Sequence, residues 1–474
     1  MSEDHIYIVG AGHAGGELAF ATRQQGYAGA LTIVGEESHL PYQRPPLSKA
    51  YLKGECEATS LYLRQQAAYE KANINLLLSR RVERIERASK KLVFDDGREV
   101  TYSKLGLTTG GRARRMTIND AARAERTSNF HYLRNIDDVM AIRARFEAGQ
   151  RLVVIGGGYI GLEVAASAIA RGVKVTVLEA LPRVLARVTA PQMSEFYEQV
   201  HRDAGVDVRT NVEVIALDFN AAGDAVTAVH CTGGVVIPVD FVVVGIGLLP
   251  NTELAQAAGL EVDNGIVVDE YAVTSDPDIV AAGDCTNHPS VFCGRRIRLE
   301  SVPNAVEQAR VAAASLAGKP KAYQSVPWFW SDQYDLKLQM TGLSQGYDQF
   351  ILRGSMQNRS FAAFYLRQGQ LIAVDAVNRA QEFMVAKRMV AACQSFDPVA
   401  LADESVPLKT LAGASGSSFS LRFAHRRWPP AVSARPHCPE CAYWPVWRVA
   451  ACFEHAARSA VAGKNFRATP GGSR

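Results

Sequence analysis

Gly10-Ala11-Gly12-His13-Ala14-Gly15 and Gly156-Gly157-Gly158-Tyr159-Ile160-Gly161 decide how this chain folds. Each stretch follows an apolar strand, Ile6-Tyr7-Ile8-Val9 or Leu152-Val153-Val154-Ile155, and opens a helix of small residues. A second strand comes next in both places and runs into a carboxylate, Glu36 or Glu179. An ordinary glycine turn accounts for one such loop, not for two in full strand–helix–strand context. Gly10 and Gly156 permit the tight turn, Gly12 and Gly158 let backbone approach a pyrophosphate, and Gly15 and Gly161 let the helix pack close to the strand. The helix N-terminus offers free N–H groups and a positive dipole end to phosphates. Glu36 and Glu179 end their strands where a ribose diol would lie. Two complete units predict two Rossmann-like domains in an α/β protein, two dinucleotides, and hydride transfer from one to the other.

The repeat extends outward from the loops. After the first unit comes a proline-braced segment, Arg44-Pro45-Pro46-Leu47-Ser48-Lys49, then a hairpin, Lys91–Phe94 and Glu99–Tyr102, turning on Asp96-Gly97. Apolar strands running into glycine, Leu105–Gly111 and Phe241–Gly247, close the two copies. Ile279–Cys285 and a helix from about Pro303 to Leu316 are too small to fold alone and must join one of the nucleotide domains. Asp284 follows Gly283 at the C-terminal end of a short strand, where α/β sheets bind ligands. A cap on a following helix is the alternative reading of that carboxylate. Alternating apolar and polar positions from about Pro327 to Leu411 predict a third, α+β domain with a helix near Gln381–Ala392. The expected boundaries are 1–113 with 247–325, then 114–246, 326–412, and an appended tail at 413–474.

The chain has 474 residues, 47% apolar and 21% charged, an ordinary globular composition. Its net charge of +4 misleads, because residues 413–474 carry nine Lys/Arg against two Asp/Glu. The rest holds 43 basic and 46 acidic residues, so charge gives no sign of nucleic-acid binding. No apolar run is long enough to span a membrane, and the N-terminus has no basic-then-apolar leader, so a cytoplasmic protein is expected. Eight scattered cysteines fit a reducing compartment. In the tail, Cys438, Cys441, Cys452 and His455 have zinc-ligand types, but the segment lacks a core pattern, and disorder without a metal is expected.

With these pieces in place, the chain resembles the FAD-dependent, NADH-oxidising ferredoxin reductases, of the putidaredoxin-reductase and rhodocoxin-reductase type. The likeness covers residues 5 to about 411. It rests on Arg44–Lys49, Val177-Leu178-Glu179-Ala180, Gly245–Asn251, Ala281-Ala282-Gly283-Asp284 and Trp328–Gln333. It implies a glutathione-reductase-like fold in which the first loop takes FAD and the inserted second loop takes NADH. Gly10, Gly12, Gly15 and Glu36 would then hold the AMP half of FAD. Arg44 and Lys49 would reach the flavin and Asp284 the ribityl chain, with Val302 and Gly247 completing the cofactor contacts. Gly156, Gly158, Gly161 and Glu179 would hold NADH. Lys49, Glu163 and Trp330 are the implied catalytic set. Lys49 would favour reduced, anionic flavin, Glu163 would face Lys49 near the nicotinamide, and Trp330 would lie over the flavin. Taken alone, the three residues also read as a solvated lysine, a first-turn glutamate complementing a helix dipole and a core tryptophan.

Glu179 accepts a 2′-hydroxyl and repels a 2′-phosphate, which favours NADH, while Arg183 nearby is a complication. Relatives that reduce disulfides carry cysteines after the first unit, but here Arg44-Pro45-Pro46 stands, and Cys56 is single and farther on. Electrons are therefore expected to leave the flavin directly, to a one-electron 2Fe–2S ferredoxin serving a haem-thiolate monooxygenase or a dioxygenase. An NADH oxidase or peroxidase and an NADH-sensing flavoprotein of apoptosis-inducing-factor type are the rivals. A monomer or weak homodimer is expected. The acidic partner implied by the family would dock on a basic patch, for which Arg295, Arg296, Arg298, Arg379, Lys387 and Arg388 are the candidates. One departure from the family is Thr108-Thr109-Gly110, where Ala-Thr-Gly is usual.

Overall fold

The computed structural model describes residues 4–414. The first glycine loop lies between strand His5–Val9 and helix His13–Gln24. That strand is central in a five-stranded parallel sheet, paired with Ala30–Val34 on one side and Lys104–Leu107 on the other. Asn75–Leu77 forms one edge, and Ile279–Ala281 returns from far along the chain to form the other. Helix Val302–Leu316 packs beside the first helix, burying Ala305, Ala309, Ala312 and Ala313 with Ile6, Ile8 and Leu18. Covering both faces explains the unbroken apolar runs in these strands.

The second unit repeats the plan. Strand Arg151–Ile155 pairs in parallel with Lys174–Glu179 and Phe241–Val244, with Asp207–Thr210 and Phe130–Tyr132 outside them. Helix Tyr159–Ile169 follows the second loop. Each sheet is accompanied by a three-stranded antiparallel meander, Val82–Glu86 with Lys91–Phe94 and Glu99–Thr101, and Val214–Phe219 with Val226–Cys231 and Val236–Pro238. The Asp96-Gly97 turn is as read, with Gly97 at φ +79°.

The third region is a five-stranded antiparallel sheet of Trp328–Gln333, Leu336–Gly342, Gln349–Ser355, Ser360–Arg367 and Gln370–Val377. Helix Ala380–Ala391 buries Phe383, Ala386, Met389 and Val390 against Phe364 and Val374. A last helix runs Leu408–Ala414, past the point where the composition breaks. The rest of the tail, with Cys438, Cys441, Cys452 and His455, lies outside the described residues.

One buried apolar cluster ties the three regions together, joining Leu47 and Leu52 with Leu162 and Val177 and with Leu338 and Phe361. Two buried carboxylates, Glu163 and Asp375, face across the seams between them. No helix among the described residues is long and apolar enough to cross a membrane.

Candidate functional site

The two loops have the same backbone. Gly10 and Gly156 both take φ +112°, a conformation a side chain resists, and a Cβ there would overlap the carbonyls of Thr108 and Gly245. A Cβ on Gly15 or Gly161 would overlap the carbonyl of the loop's own first glycine. Gly12 and Gly158 differ, because a Cβ on either would meet nothing within 4 Å. Both are helix N-caps with no side-chain acceptor, so the first-turn N–H groups face open space without a built-in partner. A pyrophosphate is the acceptor those N–H groups suit at both loops. The Thr108 hydroxyl donates to Gly10 O at 2.8 Å and Val9 O at 3.2 Å, so the departure Thr108-Thr109-Gly110 ties the first loop to the neighbouring strand.

The two strand-end carboxylates are held differently. Glu36 is exposed, with Arg81 at 3.8 Å. Glu179 accepts N–H bonds from Gly157 and Leu181, both at 2.8 Å, which fixes it against the second loop. Arg183 donates to the carbonyls of Thr189 and Ala186 and to Ser194 Oγ, so its guanidinium is committed within the fold.

Around the first loop, Arg44 donates to Glu37 at 2.6 Å, to the Tyr42 hydroxyl at 2.9 Å and to Arg134 O at 2.6 Å. Arg134 in turn reaches Asp284 at 3.4 Å. Asp284 precedes a strand, Thr286–Ser290, so the helix-cap reading of it is dropped. Arg134 Nε and His13 Nδ1 are buried without a hydrogen-bond partner. Burial pushes the His13 pKa down. Polar atoms left over beside Asp284 suit a bound group with hydroxyls and phosphates. Val302 begins its helix just after the Ser301 cap, and Gly247 takes φ +116° beside the second sheet. His13 stands inside the quoted loop and could have been found there, but Arg134 carries no local signal.

Lys49 and Glu163 come together. Lys49 Nζ lies 2.6 Å from Glu163 Oε2, with the two side chains 18% and 4% exposed. The Ser48 hydroxyl donates to the same oxygen at 2.5 Å, and the Ser331 hydroxyl to Glu163 Oε1 at 2.6 Å. Ser167, one turn beyond Glu163, donates to Ser48 O at 2.7 Å. Lys49 is therefore no solvated lysine, and Glu163 does more than complement a dipole. Its carboxylate joins the proline-braced turn, the second-loop helix and the third sheet. Trp330, next to Ser331, is half-buried against Trp328, with centroids 5.6 Å apart. Serines 48 and 331 sat in the stretches that carried the family likeness, yet their shared partner was not legible.

The docking patch needs correction. Arg298 is 3% exposed and paired with Glu300, Arg296 donates to the carbonyls of Val268 and Asn287, and Arg379 is paired with Glu382 and Glu404. Those three are structural. Arg388 is exposed, Arg295 bonds Gln345, and Lys387 lies over the Trp328 ring. The described cysteines are free thiols, with Cys56 packed against the large core, and no group of metal-ligand type gathers among the described residues.

Comparison with known proteins agrees with this geometry. The model of the pyridine nucleotide-disulphide oxidoreductase family matches residues 4–309, and that of the reductase C-terminal domain matches 328–412. The chain is 48% identical over 419 residues to putidaredoxin reductase CamA of Pseudomonas putida, covering 88% of this chain and 99% of that one. It is 42% identical to rhodocoxin reductase of Rhodococcus erythropolis, covering 85% and 93%. The covalent putidaredoxin reductase–putidaredoxin complex superposes with a TM-score of 0.85, at 48% identity over 88% of this chain and 100% of that one. This chain belongs to the pyridine nucleotide-disulphide oxidoreductase family, as a ferredoxin reductase of the putidaredoxin-reductase type.

Proposed function

We propose that the chain oxidises NADH at its second loop, receives the hydride on FAD held by its first, and reduces a 2Fe–2S ferredoxin that feeds a haem-thiolate monooxygenase or a dioxygenase. The observation that carries this reading is the buried Lys49–Glu163 pair, 2.6 Å apart at the junction of the two loop-bearing regions and the third sheet. Bound FAD supplies a centre that takes two electrons together and releases them singly. The chain's own task is alignment and electrostatics. Residues 1–113 and 247–325 hold FAD through Gly10, Gly12, Gly15, Glu36, Arg44, Asp284 and Val302. Residues 114–246 hold NADH through Gly156, Gly158, Gly161 and Glu179, with Gly247 at the crossing. Lys49 would present its ammonium to the flavin, and Glu163 fixes that ammonium and balances its charge. Trp330 would cover the flavin from the third region. No thiol relay is invoked, and the chain works in the cytoplasm as a monomer or weak homodimer.

The anchoring of Glu179 by two N–H groups supports NADH over NADPH, since a fixed carboxylate there accepts a ribose diol and repels a phosphate. The internal commitment of Arg183 removes the cation that would have offset that repulsion. NADH is expected to exceed NADPH by more than about tenfold in kcat/KM, or about 1.4 kcal/mol, and Glu179→Ala to narrow the ratio. Steady-state reduction of cytochrome c through an added ferredoxin measures both numbers. Equal use of the two coenzymes sinks the Glu179 assignment, and turnover unaffected by omitting ferredoxin sinks the partner.

A further inference from the structure

Behind Glu163 the polar contacts continue along one face of the strand Trp328–Gln333 to the surface. The Ser331 oxygen that donates to Glu163 lies 3.2 Å from Gln333 Nε2, Gln333 Oε1 lies 2.8 Å from His201 Nε2, and His201 Nδ1 lies 2.9 Å from the Tyr334 hydroxyl. Ser331, Gln333 and His201 are buried, whereas Tyr334 is 37% exposed. The directions of these bonds follow from the carboxylate end. Glu163 paired with Lys49 can only accept, so Ser331 donates to it and has only lone pairs left for Gln333. The Gln333 nitrogen must then face Ser331 and its oxygen His201, which obliges His201 to carry its proton on Nε2 and to accept from Tyr334 on Nδ1. Burial pushes the His201 pKa down to about 4, which keeps the ring neutral with one donor and one acceptor nitrogen. Tyr334 reaches the ring from the two-residue hairpin turn between Gln333 and Leu336, at φ +55°, a left-handed conformation that tyrosine rarely adopts.

We propose that Tyr334, His201, Gln333 and Ser331 form a one-directional hydrogen-bond chain that positions Glu163, and through it Lys49, from the hairpin end of the third sheet's first strand. The proposal rests on the Lys49–Glu163 site described under the function. The amide of Gln333 makes the chain a positioning tie rather than a proton wire, because it cannot pass a proton on without changing its own bonding. The four residues are positioning residues that act through Glu163.

The test reads the far end while changing the near one. In Glu163→Gln, Lys49 can face only the amide oxygen, so the new NH2 points at Ser331. Ser331 then accepts from it and, being buried, keeps its own proton bonded by donating to a turned Gln333, which moves the His201 proton to Nδ1. Nitrogen NMR of 15N-histidine-labelled, FAD-loaded protein is expected to find the Nε2–H form in the native chain and the Nδ1–H form in Glu163→Gln. A native Nδ1–H form, or the same form in both proteins, overturns the chain, and the native spectrum alone is decisive if the variant does not fold. In stopped flow, His201→Leu is expected to slow flavin bleaching at saturating NADH by roughly three- to thirtyfold, as displaced groups do. His201→Gln keeps a donor at the Nε2 position and is expected to restore the rate. Native bleaching in His201→Leu also overturns the proposal. If Glu163→Gln itself bleaches at the native rate, the site reading fails instead, while the tautomers still judge the chain.

Discussion

Glu163 and Asp375 are both buried carboxylates on seams of the same fold, and they are stabilised in different ways. Glu163 has a cation at 2.6 Å and two serine hydroxyls, drawn from the two other regions of the molecule. Asp375 has two hydroxyls, Thr189 at 2.7 Å and Tyr365 at 2.6 Å, and burial pushes its carboxyl up to about 6. Hydroxyl donors lower that pKa without offsetting the whole desolvation cost. A carboxylate with a counter-charge serves as a fixed element of a site, whereas one without it titrates near neutrality and makes its seam sensitive to pH.

The sharpest way to break the comparison is to remove one member of each pair. Glu163→Leu leaves Lys49 largely buried without its counter-charge and is expected to destabilise the protein by about 3–5 kcal/mol, read as a fall in thermal midpoint. If the midpoint holds, the pair is not the electrostatic unit described. Asp375→Asn has the opposite sign. The native carboxyl has a folded pKa near 6 against an ordinary 3.8, so the stability contributed by its neutral form is complete below 3.8 and lost as pH rises through 6. Asn keeps that neutral form at every pH. The variant is expected to gain about 1–3 kcal/mol at pH 8 and nothing at pH 4. Equal midpoint shifts at both pH values would show that Asp375 does not titrate in this window.

The smallest effects sharpen the contrast. Ser48→Ala and Thr189→Val each delete one hydroxyl donor, worth about 1 kcal/mol. The loss in Ser48→Ala is expected to stay near that size, because Lys49 and Ser331 still hold Glu163. The loss in Thr189→Val is expected to grow from pH 5 to pH 8, since Asp375 then depends on Tyr365 alone. A Thr189→Val loss that stays constant across that range in thermal melts would remove the distinction.

Both glycine loops, their strands and their helices were legible because the required conformations are local. Gly10 and Gly156 need positive φ, and the apolar runs need two covered faces. Lys49 and Glu163 were legible only through family likeness, since 114 residues separate them and neither carries a local sign of the other. His201, Arg134 and Thr189 were missed for the same reason, as their partners lie on other elements. Three of the six basic-patch candidates, Arg296, Arg298 and Arg379, failed differently. Arg298 and Glu300 share a face at extended spacing, and Arg379 and Glu382 are a helical turn apart, so both pairings could have been read from the sequence.

The edge strand Ile279–Ala281 also sets a schedule for biosynthesis. Its neighbour Lys104–Leu107 leaves the ribosome about 170 residues earlier, followed by the whole second nucleotide region. At roughly 5–20 residues per second, the first sheet stands with an open apolar edge for about ten to thirty seconds. The second region carries its own strands within 114–246 and can close during that wait. The nascent chain therefore completes its inserted half before its outer half, and the unpaired Lys104–Leu107 edge is the surface that chaperones and aggregation compete for.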